Sequence, residues 1–106
     1  MTAKRYPPIP KFVRCLGGRV PVKIVSKKEM AKYSDPGEEL FGYFHESHRF
    51  ILIARHLKPS ERWRVLWHEI SHIALWDSGI QNGLEGKLEE AICDAFASNT
   101  MRVLHG

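Results

Sequence analysis

From Pro59 to Trp76 the chain runs without a further Gly or Pro, and its apolar residues recur at a helical period. Trp63, Leu66, Trp67, Ile70 and Ala74 fall on one side of a 3.6-residue repeat, which predicts an amphipathic helix packed on a core. Ser60 is the expected N-cap, Glu61 lies in the first turn, and Gly79 stands where a helix stop belongs. In the middle of this helix sits His68-Glu69-Ile70-Ser71-His72. Residues four apart share a helix face, so the two imidazoles can each turn one nitrogen toward a single tetrahedral Zn²⁺. Glu69 then lies beside the metal without binding it, placed to take a proton from an activated water and return it to a leaving amine.

The motif alone is suggestive. With six His and nine Glu in 106 residues, a chance H-E-x-x-H arises somewhere in the chain at about 3%, so its helical context has to carry the reading. A catalytic zinc also wants a third protein ligand and one open position. Past a glycine-rich break at Gly79, Gly83 and Gly86, a second helix is predicted over residues 84–104, carrying Glu89, Glu90 and Asp94. Glu90 and Asp94 are four apart and face the same way. The economical assignment makes Glu90 the third ligand and lets Asp94 accept the other N–H of one histidine. Glu89 is the alternative ligand, but it shares a face with Ile92, Cys93 and Phe96, which read as core.

These residues resemble the ImmA/IrrE family of metallopeptidases, within the zincins whose third ligand is glutamate. The matching segments are Gly42-Tyr43-Phe44, Phe50 to Ile53, Arg62, Leu66 to Leu75, Glu89-Glu90-Ala91 and Asp94 to Ala97. Together they span roughly residues 20 to 100. The resemblance implies one catalytic zinc bound by His68, His72 and Glu90, with Glu69 as general base. The Glu90/Asp94 pair is also similar to the Glu-x-x-x-Asp arrangement of thermolysin-like enzymes. It implies a protein or peptide substrate, with a repressor-type transcription factor as one class. Family members often continue with a Leu-Leu-Met-Pro-like stretch, whereas this chain reads Ser98-Asn99-Thr100-Met101-Arg102 and ends at Gly106. The expectation is either a minimal catalytic core or a core lacking an element for substrate capture or regulation.

Along the chain, residues 1–10, with Pro7, Pro8 and Pro10, read as an extended arm, and residues 11–106 as a single zincin-like domain. Phe12-Val13 begins a short strand. From Arg19 to Ser26, Val20, Val22 and Ile24 alternate with Arg19, Lys23 and Val25, the pattern of a half-buried strand. Ser26 and Glu29 stand in capping-box register for a short helix reaching Tyr33. Beyond the Asp35-Pro36-Gly37 turn, residues 40–45 and 49–54 read as an antiparallel hairpin. The expected fold is α+β: a small antiparallel sheet packed on the H-E-x-x-H helix, with the glutamate-bearing helix closing the other side of the metal. The family resemblance implies a docking edge for an extended peptide, with Gly42-Tyr43-Phe44 on the first hairpin strand as the candidate. Tyr43 or His45 would donate to the oxyanion if it reached over the zinc. The competing reading is that both are sheet packing. His48, His56 and His105 are expected bystanders, the last in a frayed terminus.

Charge narrows the alternatives. Eight basic residues precede the first acid, Glu29, and from there on eight basic residues face twelve acidic ones. The net +4 is therefore an N-terminal property, and without a recognised nucleic-acid motif a solvated basic face is the expectation. No apolar run has the length of a membrane span or the form of a signal peptide, and Cys15 and Cys93 fit no metal or redox spacing. A cytoplasmic protein is expected. Zinc-dependent peptide hydrolysis competes here with two readings: a catalytically silent, zinc-stabilised protein-binding module, and a basic nucleic-acid accessory protein. Neither accounts for a glutamate directly after His68.

Overall fold

A computed structural model describes residues 6–106; the first half of the expected arm lies outside the described residues. Four strands, β1 (Phe12–Cys15), β2 (Gly18–Val25), β3 (Gly42–His45) and β4 (Phe50–Ala54), form one sheet in the order β1-β2-β4-β3. Three α-helices accompany it: α1 (Lys27–Met30), α2 (Pro59–Asp77) and α3 (Gly86–His105). The architecture is α+β as expected, but the sheet is mixed. β1/β2 and β3/β4 pair antiparallel, while the central pair β2/β4 is parallel. The reason is topological. Residues 26–49 cross over before β4 returns, and β3 takes the outer edge. A strand hairpinned to that edge strand runs with β2, which requires a crossover of this length.

The register sorts the strands into two faces. Val22, Ile24, Phe44, Ile51 and Ile53 are cross-strand neighbours on the face that packs on α2. Leu52 and Ala54, also buried, point to the other face, under α1 and the short 3-10 turn Ala31–Tyr33 that follows it. Ser26 caps α1 by accepting from the Glu29 N–H at 3.1 Å. Burial of about a dozen apolar side chains, Val20, Ile51, Ile53, Leu66 and Ile73 among the deepest, supplies the core.

α2 begins earlier than its sequence suggested. Lys58, not Ser60, is the N-cap, because Pro59 occupies the first helical position, where its fixed φ suits the helix and its missing N–H costs nothing. Glu61 reaches back to accept from the Lys58 N–H at 3.0 Å. Leu66 and Ile73 are the buried apolar positions, with Trp63 and Ile70 packed beside them, whereas Ala74 is exposed. Gly79 takes φ 80° just past the C-cap Ser78, a conformation in which a Cβ is strained.

α3 runs antiparallel to α2, as the order of contacts along both helices shows: Arg64 to Ser98, His68 to Asp94, His72 to Glu89. It turns Cys93 and Ala97 inward, and burial, helped by nearby acids including Glu89 and Glu90, pushes the Cys93 thiol up to about 12. Phe96, expected in the core, is 60% exposed because the buried repeat of α3 passes through 93 and 97 instead. His105 is no frayed bystander: its ring packs on Trp63 and accepts from the Trp67 indole N–H at 3.3 Å. Residues 6–10 lie against the body of the protein, with the Pro7 carbonyl accepting from Trp63 Nε1 at 2.7 Å and Ile9 packed on the core. Among the described residues no helix is long and apolar enough to cross a membrane.

One ion pair ties three parts of the chain together. Asp77, at the end of α2, accepts from Arg49 at 2.6 and 3.1 Å and from the Gly17 N–H at 2.8 Å. It thereby joins the β3–β4 turn and the β1–β2 turn to the helix. The Asp77 side chain is only 3% exposed, and the Arg49 hydrogen bond, reinforced by Gly17 and by Arg49's charge against the opposing effect of burial, holds its carboxyl below the ordinary aspartate range. Such a depressed group contributes stability above its unfolded pKa and loses it as pH falls through the folded one. Asp77→Asn is therefore expected to lose about 1–3 kcal/mol at pH 7 by chemical denaturation. The gap between the two proteins should stay full down to about pH 4 and close below that, as the parent's Asp77 protonates.

Candidate metal centre

The helical repeat of α2 puts Glu69 inward and His68 and His72 on the flank that meets α3. The two Nε2 atoms stand 3.1 Å apart. Glu90 closes the third side, its carboxylate oxygens 3.3 Å from His68 Nε2 and 2.8 Å from His72 Nε2. One ligand atom from each of these three residues lies within 4.8 Å of the other two.

The outer nitrogens explain why the inner ones converge. His68 Nδ1 lies 2.9 Å from Asp94 Oδ1, and His72 Nδ1 lies 2.6 Å from Glu89 Oε2. A carboxylate can only accept, so each Nδ1 is the natural donor, and each Nε2 is left with a lone pair. In that tautomer, two imidazole lone pairs and a carboxylate face a common point. That donor set repels itself unless a cation sits at the centre, and two nitrogens with one oxygen suit a borderline divalent metal. His68, His72 and Glu90 thus fit a metal ion and could hold one. Cys93, a neutral buried thiol, is not part of the set.

Sequence reasoning paired Asp94 with a histidine but missed the role open to Glu89, which it treated as a rival ligand. In the structure Glu89 is one of two carboxylates that orient the imidazoles. A signal was present: Glu89 is one turn before Cys93 on the buried stripe of α3. A carboxylate there needs a donor, and a pair of metal-facing histidines leaves two Nδ1–H groups to satisfy.

Glu69 is buried as a whole residue, 7% exposed. Burial is the main reason its carboxyl is pushed up to about 7; His72 pulls it down and Glu90 adds to the rise. A carboxyl poised there can exchange a proton near neutral pH. Its roof is the backbone of β3. A Cβ built on Gly42 would stand 3.0 Å from Glu69 Oε2 and would overlap the Val65 side chain outright. Only glycine allows the strand to lie this close to the helix.

β3 is an edge strand. The Ala54 N–H donates to the Phe41 carbonyl, and Gly42 pairs with Ile53 in register. The antiparallel alternation therefore turns the main-chain groups of Tyr43 and His45 toward β4 and those of Gly42 and Phe44 toward the open side. Between this edge and the two helices lies a cleft of about 470 Å³, with His68, Glu69, His72 and Glu90 in its lining.

Two of the expected site residues are not brought to the cluster. Tyr43 and His45 point to the opposite sheet face, where Tyr43 packs tilted against Tyr33 with ring centroids 5.0 Å apart and His45 stacks on Phe50 at 4.8 Å. The register gives the face toward α2 to Gly42 and Phe44, so the Tyr43 and His45 side chains turn away from the histidine pair. Tyr43 still lines the cleft, and His45 does not. Gly42→Ala is expected to lower stability by about 1–3 kcal/mol in urea denaturation, because Val65 and Glu69 must give way.

Comparison with known proteins agrees with this geometry. The peptidase M78 family model, described as an IrrE N-terminal-like domain, matches residues 22–101. That span takes in half of β2, all of α2, most of α3 and the edge strand. No curated protein matches the chain.

Proposed function

The chain belongs to the IrrE N-terminal-like peptidase family, and on that premise we propose that it is a zinc metalloendopeptidase. The observation that carries the reading is the joint placement of a metal-fitting His68/His72/Glu90 set and a buried carboxyl, Glu69, one residue along the same helix. Bound there, zinc would supply Lewis acidity, polarising the scissile carbonyl and lowering the pKa of water toward about 7.

The chain's own residues do the rest. Asp94 and Glu89 hold the imidazoles by their Nδ1–H groups, so neither ring has to be ordered when metal and substrate arrive. Glu69 accepts the proton of the attacking water and delivers it to the departing amide nitrogen. Its raised pKa serves both halves of that task, since the group must gain and lose the proton at one pH. The open main-chain groups of Gly42 and Phe44 pair with an extended substrate, aligning it without reading its side chains. The substrate is a protein or peptide, with a repressor-type regulator as the class the family resemblance points to. Both cysteines are free, which suits a reducing, cytoplasmic setting.

Glu69→Gln is expected to keep one zinc per chain in elemental analysis and to lose at least about 100-fold in peptide hydrolysis, the lower end of a general base's contribution. Retained turnover would overturn the mechanism. His72→Ala should emerge from purification without zinc. Glu89→Ala and Asp94→Ala are each expected to weaken zinc binding about 10- to 100-fold in a competition titration, with the third ligand still in place.

A further inference from the structure

Twelve acidic and sixteen basic side chains give the chain its net +4, yet they are not mixed evenly over its surface. Six of the twelve acids line the one cleft beside β3: Glu39, Glu46, Glu69, Glu89, Glu90 and Asp94. Only one of the fourteen bases among the described residues, Arg64, does so, and it is engaged with Ser98 at 2.9 Å. Leaving Glu69 out, because its carboxyl exchanges a proton near neutral pH, the other five carboxylates against one guanidinium leave the cleft at −4, and a divalent cation at the His68/His72/Glu90 set would still leave it at −2. A strongly negative cleft cut into a positive protein concentrates field at its mouth and draws in cations.

The cleft is more than a cluster of acids. Its floor holds Glu69, more than nine-tenths buried and without a hydrogen-bond or ion-pair partner among the described residues. Its rim is an edge strand whose Gly42 and Phe44 backbone groups are open to pair with a chain laid alongside. Along that rim the acids differ in what they already hold. Glu39, before the strand, pairs with Lys27 and His56 at 3.2 and 3.7 Å. Glu46, just past the other end, is exposed and has no partner among the described residues.

We propose that the cleft selects an extended peptide segment carrying basic side chains, and that Glu46 is the residue that reads one of them at the far end of β3. The inference rests on the metallopeptidase reading for what happens to the segment afterwards, but the charge preference belongs to the cleft itself. A substrate presenting acidic residues at the same positions would be repelled by the same field, so discrimination comes from both signs.

The test uses the full chain carrying Glu69→Gln, loaded with zinc, and three fluorescent decapeptides identical but for two positions filled by Lys, Gln or Glu. Fluorescence anisotropy at low salt is expected to show the Lys peptide binding roughly ten-fold tighter than the Glu peptide, with the Gln peptide between them. Raising salt to about 0.5 M should shrink that gap several-fold, since screening then acts over only a few ångströms. Glu46→Lys, at an exposed position that folding does not depend on, should narrow the gap by at least three-fold at low salt. Equal affinities for the three peptides, or a gap that neither salt nor Glu46→Lys reduces, would overturn the inference. Incubating the parent with the Lys peptide separates this from the catalytic reading: binding without cleavage contradicts the proposed activity and leaves the charge preference standing.

Discussion

The structure depends on the seam between α2 and α3, where two carboxylates of one helix take the outer N–H groups of two histidines on the other. Asp94 and Glu89 make these contacts at 2.9 and 2.6 Å. They do two things at once. They fix the antiparallel setting of the helices, and they force both Nε2 lone pairs toward Glu90. With the Nδ1 atoms donating outward, the inner edge of the seam presents two Nε2 atoms and a carboxylate to one point, a donor set that suits a divalent cation. Cys93 and Ala97, packed inward on the same stripe of α3, give the seam an apolar backing that excludes water from one side.

The sheet serves the seam at one remove. Its α2-facing side chains bury the helix, and the absence of a side chain at Gly42 lets the edge strand settle onto Glu69. The same close approach removes the carboxyl from solvent and raises its pKa to about 7. The proposed proton transfer and peptide docking would therefore share one structural cause, the contact between β3 and α2. Asp77 and Arg49 secure the far end of that arrangement by holding the β3–β4 turn to the end of the helix.

What was legible in the sequence follows the range of the interactions. The two long helices and the β3/β4 hairpin depend on local periodicity and turn residues, and each stands within a few residues of its expected limits. The His68, Glu69 and His72 arrangement was readable because an i, i+4 relation is a property of one helix. The parallel β2/β4 pair was not, since it is decided by where a crossover of residues 26–49 lands. Tyr43 and His45 illustrate a sharper limit. The strand was expected, but which face its odd residues take is a question of register, and a one-residue difference reverses the answer. Ser60 lost the cap to Lys58 because Pro59 starts the helix itself. Glu89 was set aside as a core-facing residue when that position was the reason for its role.

Zinc K-edge X-ray absorption on the full chain loaded with one equivalent of zinc addresses the central claim directly. The account predicts a shell of light donors only, with two imidazole signatures at about 2.0–2.1 Å and carboxylate oxygen at about 2.0–2.2 Å. Glu90→Ala should remove the carboxylate contribution and leave both imidazoles. A sulfur scatterer at about 2.3 Å, or a shell without two imidazoles, would contradict the centre described here.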